Sequence, residues 1–259
     1  MKKLKGILAF PFRIFYHYYN YYAFLDSPIG IFFNPFYLTR RALLRNIREL
    51  GKHLHGCLLD VGCGSKPYEK WIQADKYIGL EYVPDNTNYS GKADYIYDGH
   101  KFPFPDKFFD TLLSSQVLEH VFNPDEFLSE INRCLKNDGI FLLTVPFIWD
   151  EHEKPQDFGR YTSFGVRHLL QEHGFKIIEQ RKTCNNIRVI FQLWNSYLFK
   201  TLKIKNLYLH TFCICMLTFP SNIAGILLSF CLPINPDLYL DNIILAQKIK
   251  DLPTKKIRQ

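Results

Sequence analysis

The sequence predicts an α/β protein built on a parallel sheet covered by helices on both faces, and three observations predict it. From residue 57 to residue 182, short apolar runs alternate with amphipathic stretches, the pattern that strand–helix–strand crossovers produce. The first apolar run, Cys57–Val61, ends in Gly62-Cys63-Gly64. The second, residues 77–81, ends on Glu81. Open parallel sheets bind ligands beyond the carboxyl ends of their strands, so this turn and this acid mark where a site is expected.

Taken in order, Cys57-Leu58-Leu59-Asp60-Val61 is short and apolar enough for a buried strand, and the glycines after it make a tight turn. Two glycines flanking one small residue let the backbone approach a ligand, and a helix expected next would turn unpaired N–H groups toward an anion. Residues 77–81 form the second strand, Phe109 to Leu113 another, and Ile140 to Val145 another, closed by Pro146. Between the last two lies a helix with Asn123 as N-cap, Pro124 at its first position, Asp125 and Glu126 in its first turn, and Phe127, Leu128, Ile131 and Leu135 on one face. A further helix starts near Thr162 and Ser163, carries Val166, Leu169 and Leu170, and stops at Gly174; alternation over 175–179 then reads as a strand. The last strand is expected within 238–248.

These elements divide the chain into a basic aromatic leader or lid at 1–50, a core at 51–182, an apolar helical insertion at 183–236, and a final strand with its tail at 237–259. Within the insertion, Ile187, Ile190, Phe191, Trp194, Leu198 and Leu202 share one helical face, with Arg188, Gln192, Asn195 and Lys203 largely opposite. Residues 206–236 hold no Asp, Glu, Lys or Arg, and about 20 such residues suffice to cross a bilayer. Pro220 is expected to cut this run into shorter pieces, giving a re-entrant or monotopic hairpin; an apolar dimer interface or a lid is the alternative.

At 259 residues, with 47% hydrophobic and 22% charged residues, the chain can bury a core without disulfides, and wholesale disorder or a multi-span transporter fits poorly. The seven cysteines include no CxxC and look like reduced thiols of a cytoplasmic protein. The 23 Phe and 16 Tyr exceed what a core needs. The net charge of +7 sits mainly in residues 1–50, where Lys2, Lys3, Lys5, Arg13, Arg40, Arg41, Arg45 and Arg48 face only Asp26 and Glu49. Basic residues spread through an aromatic leader suit an anionic membrane surface better than nucleic acid. The leader lacks the apolar stretch and cleavage site of a secretory signal, so the expected location is cytoplasmic with peripheral or monotopic membrane association.

The ordered series Asp60-Val61-Gly62-Cys63-Gly64-Ser65, Glu81, Asp98-Gly99-His100, Phe102-Pro103-Phe104, Phe109-Asp110, Leu118-Glu119-His120-Val121 and residues 133–139 resembles the class I S-adenosylmethionine-dependent methyltransferases, in particular the type 11 group. The resemblance covers about residues 55–182. It implies a Rossmann-like seven-stranded methyltransferase sheet, S-adenosylmethionine (SAM) as cofactor, and specific contacts. Gly62 and Gly64 match the loop against the methionyl part, Asp60 the motif's acid, and Glu81 the acid that takes the ribose hydroxyls. Asp98 and Gly99 match the pair beside adenine, and Ser115 with Gln116 the segment alongside the sulfonium. The family's Pro-Gly-Gly is Asn137-Asp138-Gly139 here. A dinucleotide fingerprint would want glycine where this chain has Pro67, which disfavours an NAD enzyme.

A second stretch, Trp149 to Thr162, follows the Ile140–Val145 strand and resembles a His-Glu…Asp-Phe…Arg-Tyr-Thr segment of type 11 enzymes from bacterial surface-polysaccharide gene sets. Methylating a hydroxyl is an in-line displacement that also releases a proton, for which neutral histidine is the natural base. His152 is therefore expected as base, oriented by Asp157, with Arg160 and Tyr161 shaping the acceptor site. Asp150, Glu151, His152 and Asp157 fit no established ligand spacing, so no metal is expected. His120 is read as a capping or packing residue, Asp110 as structural. The expected acceptor is a saccharide or lipid-linked glycan; a quinone or isoprenoid acceptor, or a non-catalytic SAM-binding scaffold, are the alternatives.

Overall fold

The computed structural model describes Ile14, Tyr16 and residues 28–83 and 91–252. Apart from Ile14 and Tyr16, the leader up to residue 27 lies outside the described residues, as does the tail from residue 253. The chain divides into two compact units: a sheet unit of residues 45–182 and 241–259, and a helical unit of residues 1–44 and 183–240.

In the sheet unit, seven strands form one sheet: β1 (Cys57–Val61), β2 (Lys76–Tyr82), β3 (Tyr95–Tyr97), β4 (Phe109–Ser115), β5 (Leu135–Pro146), β6 (Phe175–Lys182) and β7 (Asp241–Lys248), in the order β3-β2-β1-β4-β5-β7-β6. The first five run parallel. β7 runs antiparallel to both neighbours, setting Pro146 opposite Asp241 and Lys182 opposite Asn242, so the sheet is mixed rather than wholly parallel. The order reverses between β1 and β4, the switch point where such sheets open for a ligand. Leu59, Leu80, Leu112, Leu128, Phe141 and Ile244 are fully buried in one cluster, each contributing about 1.5–3 kcal/mol relative to exposure.

The expected helices form where their caps place them. After the four-residue turn α1 (Gly30–Phe33) and α2 (Tyr37–Leu50), helix α3 (Pro124–Cys134) starts on Asn123, whose side chain accepts a hydrogen bond from Glu126 N. Its last carbonyls are met by a buried ammonium: Lys248 Nζ donates to Asn132 O at 2.7 Å and Leu135 O at 2.9 Å. Helix α4 (Ser163–Glu172) starts on Thr162, which accepts from Gly165 N. One expectation fails: no α-helix follows the glycine turn, only a single 3-10 turn at Glu69–Trp71. Lys66 sits at φ 54° and precedes Pro67, which disfavours helical backbone before it and supplies no N–H.

In the helical unit, α5 (Arg188–Thr201) packs on α6 (Leu207–Cys231) and α6 on α1, with the polarity of both long helices inverted. Gln192 and Asn195 of α5 are fully buried, while Ile190 and Trp194 are 47% and 52% exposed. Gln192 Nε2 donates to Pro35 O and its Oε1 accepts from Thr39 N. On α6 the buried residues are Thr211, Ile214, Cys215, Thr218, Ser221, Asn222 and Gly225, whereas Leu227 and Phe230 are 60% and 82% exposed. Asn222 ties the unit together, accepting from Asn195 Nδ2 at 2.9 Å and donating to Ile31 O and Asn34 O.

The hairpin expected from Pro220 is not present: α6 is one continuous helix with Pro220 inside it. Proline removes only the bond to Met216 O, and an apolar helix tolerates that loss when its neighbours restore polar contacts. Among the described residues α6 is the one helix long and apolar enough to cross a membrane.

Candidate active site

The parallel strands bring the sequence-predicted cofactor residues to one edge. Gly62 and Gly64 leave β1 at φ 72° and 51°. At Gly62 a side chain would collide with Val117 Cγ2, so only glycine passes; at Gly64 nothing lies within 4 Å of the Cβ position, leaving open space over the turn. The loop is tied to β2 by Gly62 N donating to Leu80 O at 2.8 Å and Gly64 N to Glu81 Oε2 at 2.7 Å. Burial pushes the Glu81 carboxyl above its ordinary range, opposed by hydrogen bonds from Gly64 N and Tyr82 N. Asp98 is exposed just past β3 and accepts from His100 N; Gly99, at φ 95°, lies against the Tyr82 ring. Ser115 closes β4 with its hydroxyl bonded to Thr144 Oγ1 at 2.9 Å.

Asp60 stands apart from this edge. It is 2% exposed and accepts the Tyr77 hydroxyl at 2.6 Å. Burial raises its carboxyl to about 7, with the Tyr77 hydrogen bond opposing. Its place is beneath the cradle, holding β1 to β2. Asp110 serves the far end: its carboxylate accepts from Cys57 N at 2.8 Å and from Lys136 Nζ at 2.6 Å.

At the ends of β4 and β5 a second group assembles. Arg160 grips Asp157 with two hydrogen bonds, Nη1 to Oδ1 at 2.6 Å and Nη2 to Oδ2 at 2.7 Å. That contact holds the Asp157 carboxyl down at about 2. Asp157 also accepts from the main-chain His152 N at 2.9 Å, a bond that ties down the loop carrying His152. The His152 ring points Nδ1 at Asp150 O, 3.2 Å away, with Asp157 Oδ2 at 3.5 Å. Its other nitrogen is the one available to a ligand. Tyr161 is half-buried, and its carbonyl accepts from Asn242 Nδ2 at 2.8 Å.

Two residues take a place at this group that sequence reasoning did not give them. His120, read as a packing residue, sets its ring 4.8 Å from that of His152 in an edge-to-face arrangement and bonds Gln156 O through Nδ1. Glu119 beside it is fully buried. Neither of its carboxylate oxygens has a hydrogen-bond partner among the described residues, and burial lifts its carboxyl to about 8. One ligand atom from each of Glu119, His120 and His152 lies within 4.8 Å of the others. The signal was a glutamate set in an apolar run next to a histidine, a pair that burial would strand without a partner.

The glycine turn, the carboxylate that closes it and the acid beyond β3, on a sheet of this order, define a nucleotide-type cofactor cradle on a Rossmann-like fold. Residues 37–180 match the family model described as "Methyltransferase domain", and the chain belongs to that family. Over 98 residues it is 34% identical to a probable S-adenosylmethionine-dependent methyltransferase of Mycolicibacterium smegmatis, a match covering 34% of this chain and 37% of the relative. The chain thus spans under two fifths of that relative's length. Two solved structures share the fold: an S-adenosylmethionine-dependent methyltransferase from Mesorhizobium loti, at TM-score 0.52 and 14% identity over 81% of this chain and 99% of the other, and the [4+2]-cyclase SpnF, at TM-score 0.52 and 18% identity over 81% and 82%. Residues 37–180 thus form a methyltransferase domain, and the cofactor named for the M. smegmatis relative is SAM.

The residues present fit that cofactor. The open space above Gly64 leaves room for its methionyl part, and Glu81, already anchored by two backbone N–H groups, keeps acceptor capacity for ribose hydroxyls. When bound, SAM supplies an electrophilic methyl group on a sulfonium.

Proposed function

We propose that this enzyme methylates a hydroxyl oxygen of a saccharide or lipid-linked glycan at the cytoplasmic face of a membrane. In this reading Glu81 holds the ribose, Asp98 and the Gly99 backbone meet the adenine, and Gly62, Gly64 and Ser115 line the path of the methionyl group. Asp60 supports them from below. The acceptor hydroxyl enters at His120 and His152, with Arg160, Asp157 and Tyr161 fixing the loop around it. Its oxygen lone pair forms the bond to the methyl carbon, the C–S electron pair stays on sulfur, and the hydroxyl proton leaves through the imidazole-lined pocket. Alcohols need such deprotonation, and the pair of imidazoles at the ends of β4 and β5 is the observation that carries this reading.

The membrane component rests on the inverted helical unit. Large apolar side chains turned outward and small or amide side chains turned inward are what a lipid environment selects. At 1.5 Å per residue the 25 residues of α6 measure about 37 Å, and 39% of its most apolar stretch is buried in the protein. The remainder lies in the bilayer and brings the enzyme to a lipid-anchored acceptor.

Incubating purified enzyme and methyl-labelled SAM with separate glycan, lipid-linked glycan and quinone extracts tests the acceptor. Label is expected in a hydroxyl-bearing glycan fraction; label confined to quinone would reject the glycan reading. Flotation with anionic vesicles tests location: wild type is expected to float, and Leu227→Ser/Phe230→Ser to float less while melting normally. Equal flotation of both would reject insertion through α6.

A further inference from the structure

We infer that Glu119, His120 and His152 form a binding site for one divalent transition-metal ion, whose open positions take oxygen atoms of the acceptor. The inference rests on reading this pocket as the acceptor site and adds the means by which the hydroxyl is held and activated.

Three independent features meet there. The first is the donor set. Two imidazoles and one carboxylate, from the segment after β4 and the loop after β5, bring one ligand atom each within 4.8 Å of the others. Bonds of about 2.1 Å at tetrahedral angles place ligand atoms about 3.4 Å apart, so closure requires side-chain movements of about an ångström and no change of backbone. Two histidines and a carboxylate suit Zn²⁺, Mn²⁺, Fe²⁺ or Co²⁺ rather than Mg²⁺ or Ca²⁺, which prefer oxygen alone.

The second feature is the orientation of the rings. Both histidines spend Nδ1 on a main-chain carbonyl, His120 on Gln156 O and His152 on Asp150 O. An Nδ1–H fixed in this way leaves the Nε2 lone pair free for a ligand, the outer-sphere arrangement that metal-bound histidines adopt. His120 Nε2 lies 3.9 Å from Glu119 Oε1 and 3.8 Å from Glu153 Oε2, so an ion between them sees carboxylates on two sides. Arg160, the nearest cation to His152, is already neutralised by Asp157, and its Nη2 approaches His152 on the Nδ1 side, at 3.4 Å.

The third feature is Glu119 itself. A fully buried carboxylate with neither oxygen hydrogen-bonded is costly. Its Oε1 lies 3.9 Å from His120 Nε2, and no lysine or arginine forms an ion pair with it among the described residues. A cation bound at the histidines removes that cost. Three protein ligands leave positions open for substrate oxygen, the arrangement of catalytic rather than structural ions. His152 Nε2, which the sequence suggests as the proton acceptor, then serves as a ligand. The hydroxyl loses its proton because it is metal-bound, and the proton passes to solvent past exposed Glu153.

The test uses the full-length protein stripped with a chelator and titrated with Co²⁺, followed by the visible d–d absorption of the ion. One Co²⁺ per chain with intensified bands is expected. Glu119→Gln and His120→Asn should each weaken binding by more than the roughly 10- to 100-fold that an outer-sphere change costs. Calorimetry with S-adenosylhomocysteine on the same samples shows that each variant is folded, since the cofactor cradle holds none of these residues. An unaltered aqueous Co²⁺ spectrum with wild type, or equal binding by folded variants, overturns the site. Stoichiometric Co²⁺ with methyl transfer undiminished by chelation keeps the metal site and overturns the acceptor reading beneath it.

Discussion

In the sheet unit Leu59, Leu112 and Phe141 fill the interior while Glu81, Asp98 and His152 stand at its ligand-facing edge. In the helical unit Gln192, Asn195 and Asn222 are interior, and Trp194, Leu227 and Phe230 face outward. Polar side chains thus do different work in the two units. At the sheet edge the proposed site keeps them for a ligand, so altering one should cost binding and spare the fold. In the helical unit they bond one another and main-chain carbonyls, so altering one should cost the fold and spare the ligand.

Glu81→Gln is the sharpest probe of the first half. It retains an acceptor for Gly64 N but loses the charge proposed to take ribose hydroxyls, and charge-assisted bonds contribute about 1.5–3 kcal/mol. Calorimetry should show S-adenosylhomocysteine binding weakened about 10- to 100-fold, with the melting temperature little changed. A variant that melts early but binds normally would invert the comparison.

The converse probe is Asn222→Leu. It strands Asn195 Nδ2 and the carbonyl of Ile31 and takes one of two donors from Asn34 O, which keeps Tyr37 N, at about 1–3 kcal/mol for a buried group left unpaired. The expected outcome in detergent is melting several degrees lower with unchanged cofactor affinity. No change in melting would mean that these amides do not hold the unit together.

Asp60 should give the smallest effect and marks where the contrast is least sharp, because it is an acid buried in the sheet unit. Its folded carboxyl is raised by burial to about 7 from an ordinary 3.8. Between those values the folded chain keeps a proton that the unfolded chain releases, so this contribution to stability is full below about pH 4 and lost as pH rises through 7. Wild type should therefore lose stability relative to Asp60→Asn as pH climbs from 4 to 7. A difference in melting temperature that stays flat with pH would show that Asp60 is ionised throughout.

Most of the sheet could be read from residues because local chemistry marks it. Asn123-Pro124 and Thr162 cap helices through their own side chains, and glycines leave β1 where a side chain would strike Val117. β3 escaped notice because three half-exposed residues at an edge carry no period. The cradle acids Glu81 and Asp98 stood out for the same local reason, each ending or following a strand. The Glu119, His120 and His152 group did not, since a loop without periodicity decides which ring returns to β4. The amphipathic row on α5 was visible, but a sequence row does not say which face turns inward. Only the bonds of Gln192 and Asn195 settle that.

The position of β7 bears on how the molecule is made. Among the described residues β6 finds its partner only in β7, and the whole of α5 and α6 lies between them in the chain. Ribosomes add about 5–20 residues per second, so for several seconds the growing sheet has a missing slot while the greasy helices have already emerged. The last strand can therefore seat only after both helices have been made, and β6 waits unpaired until then.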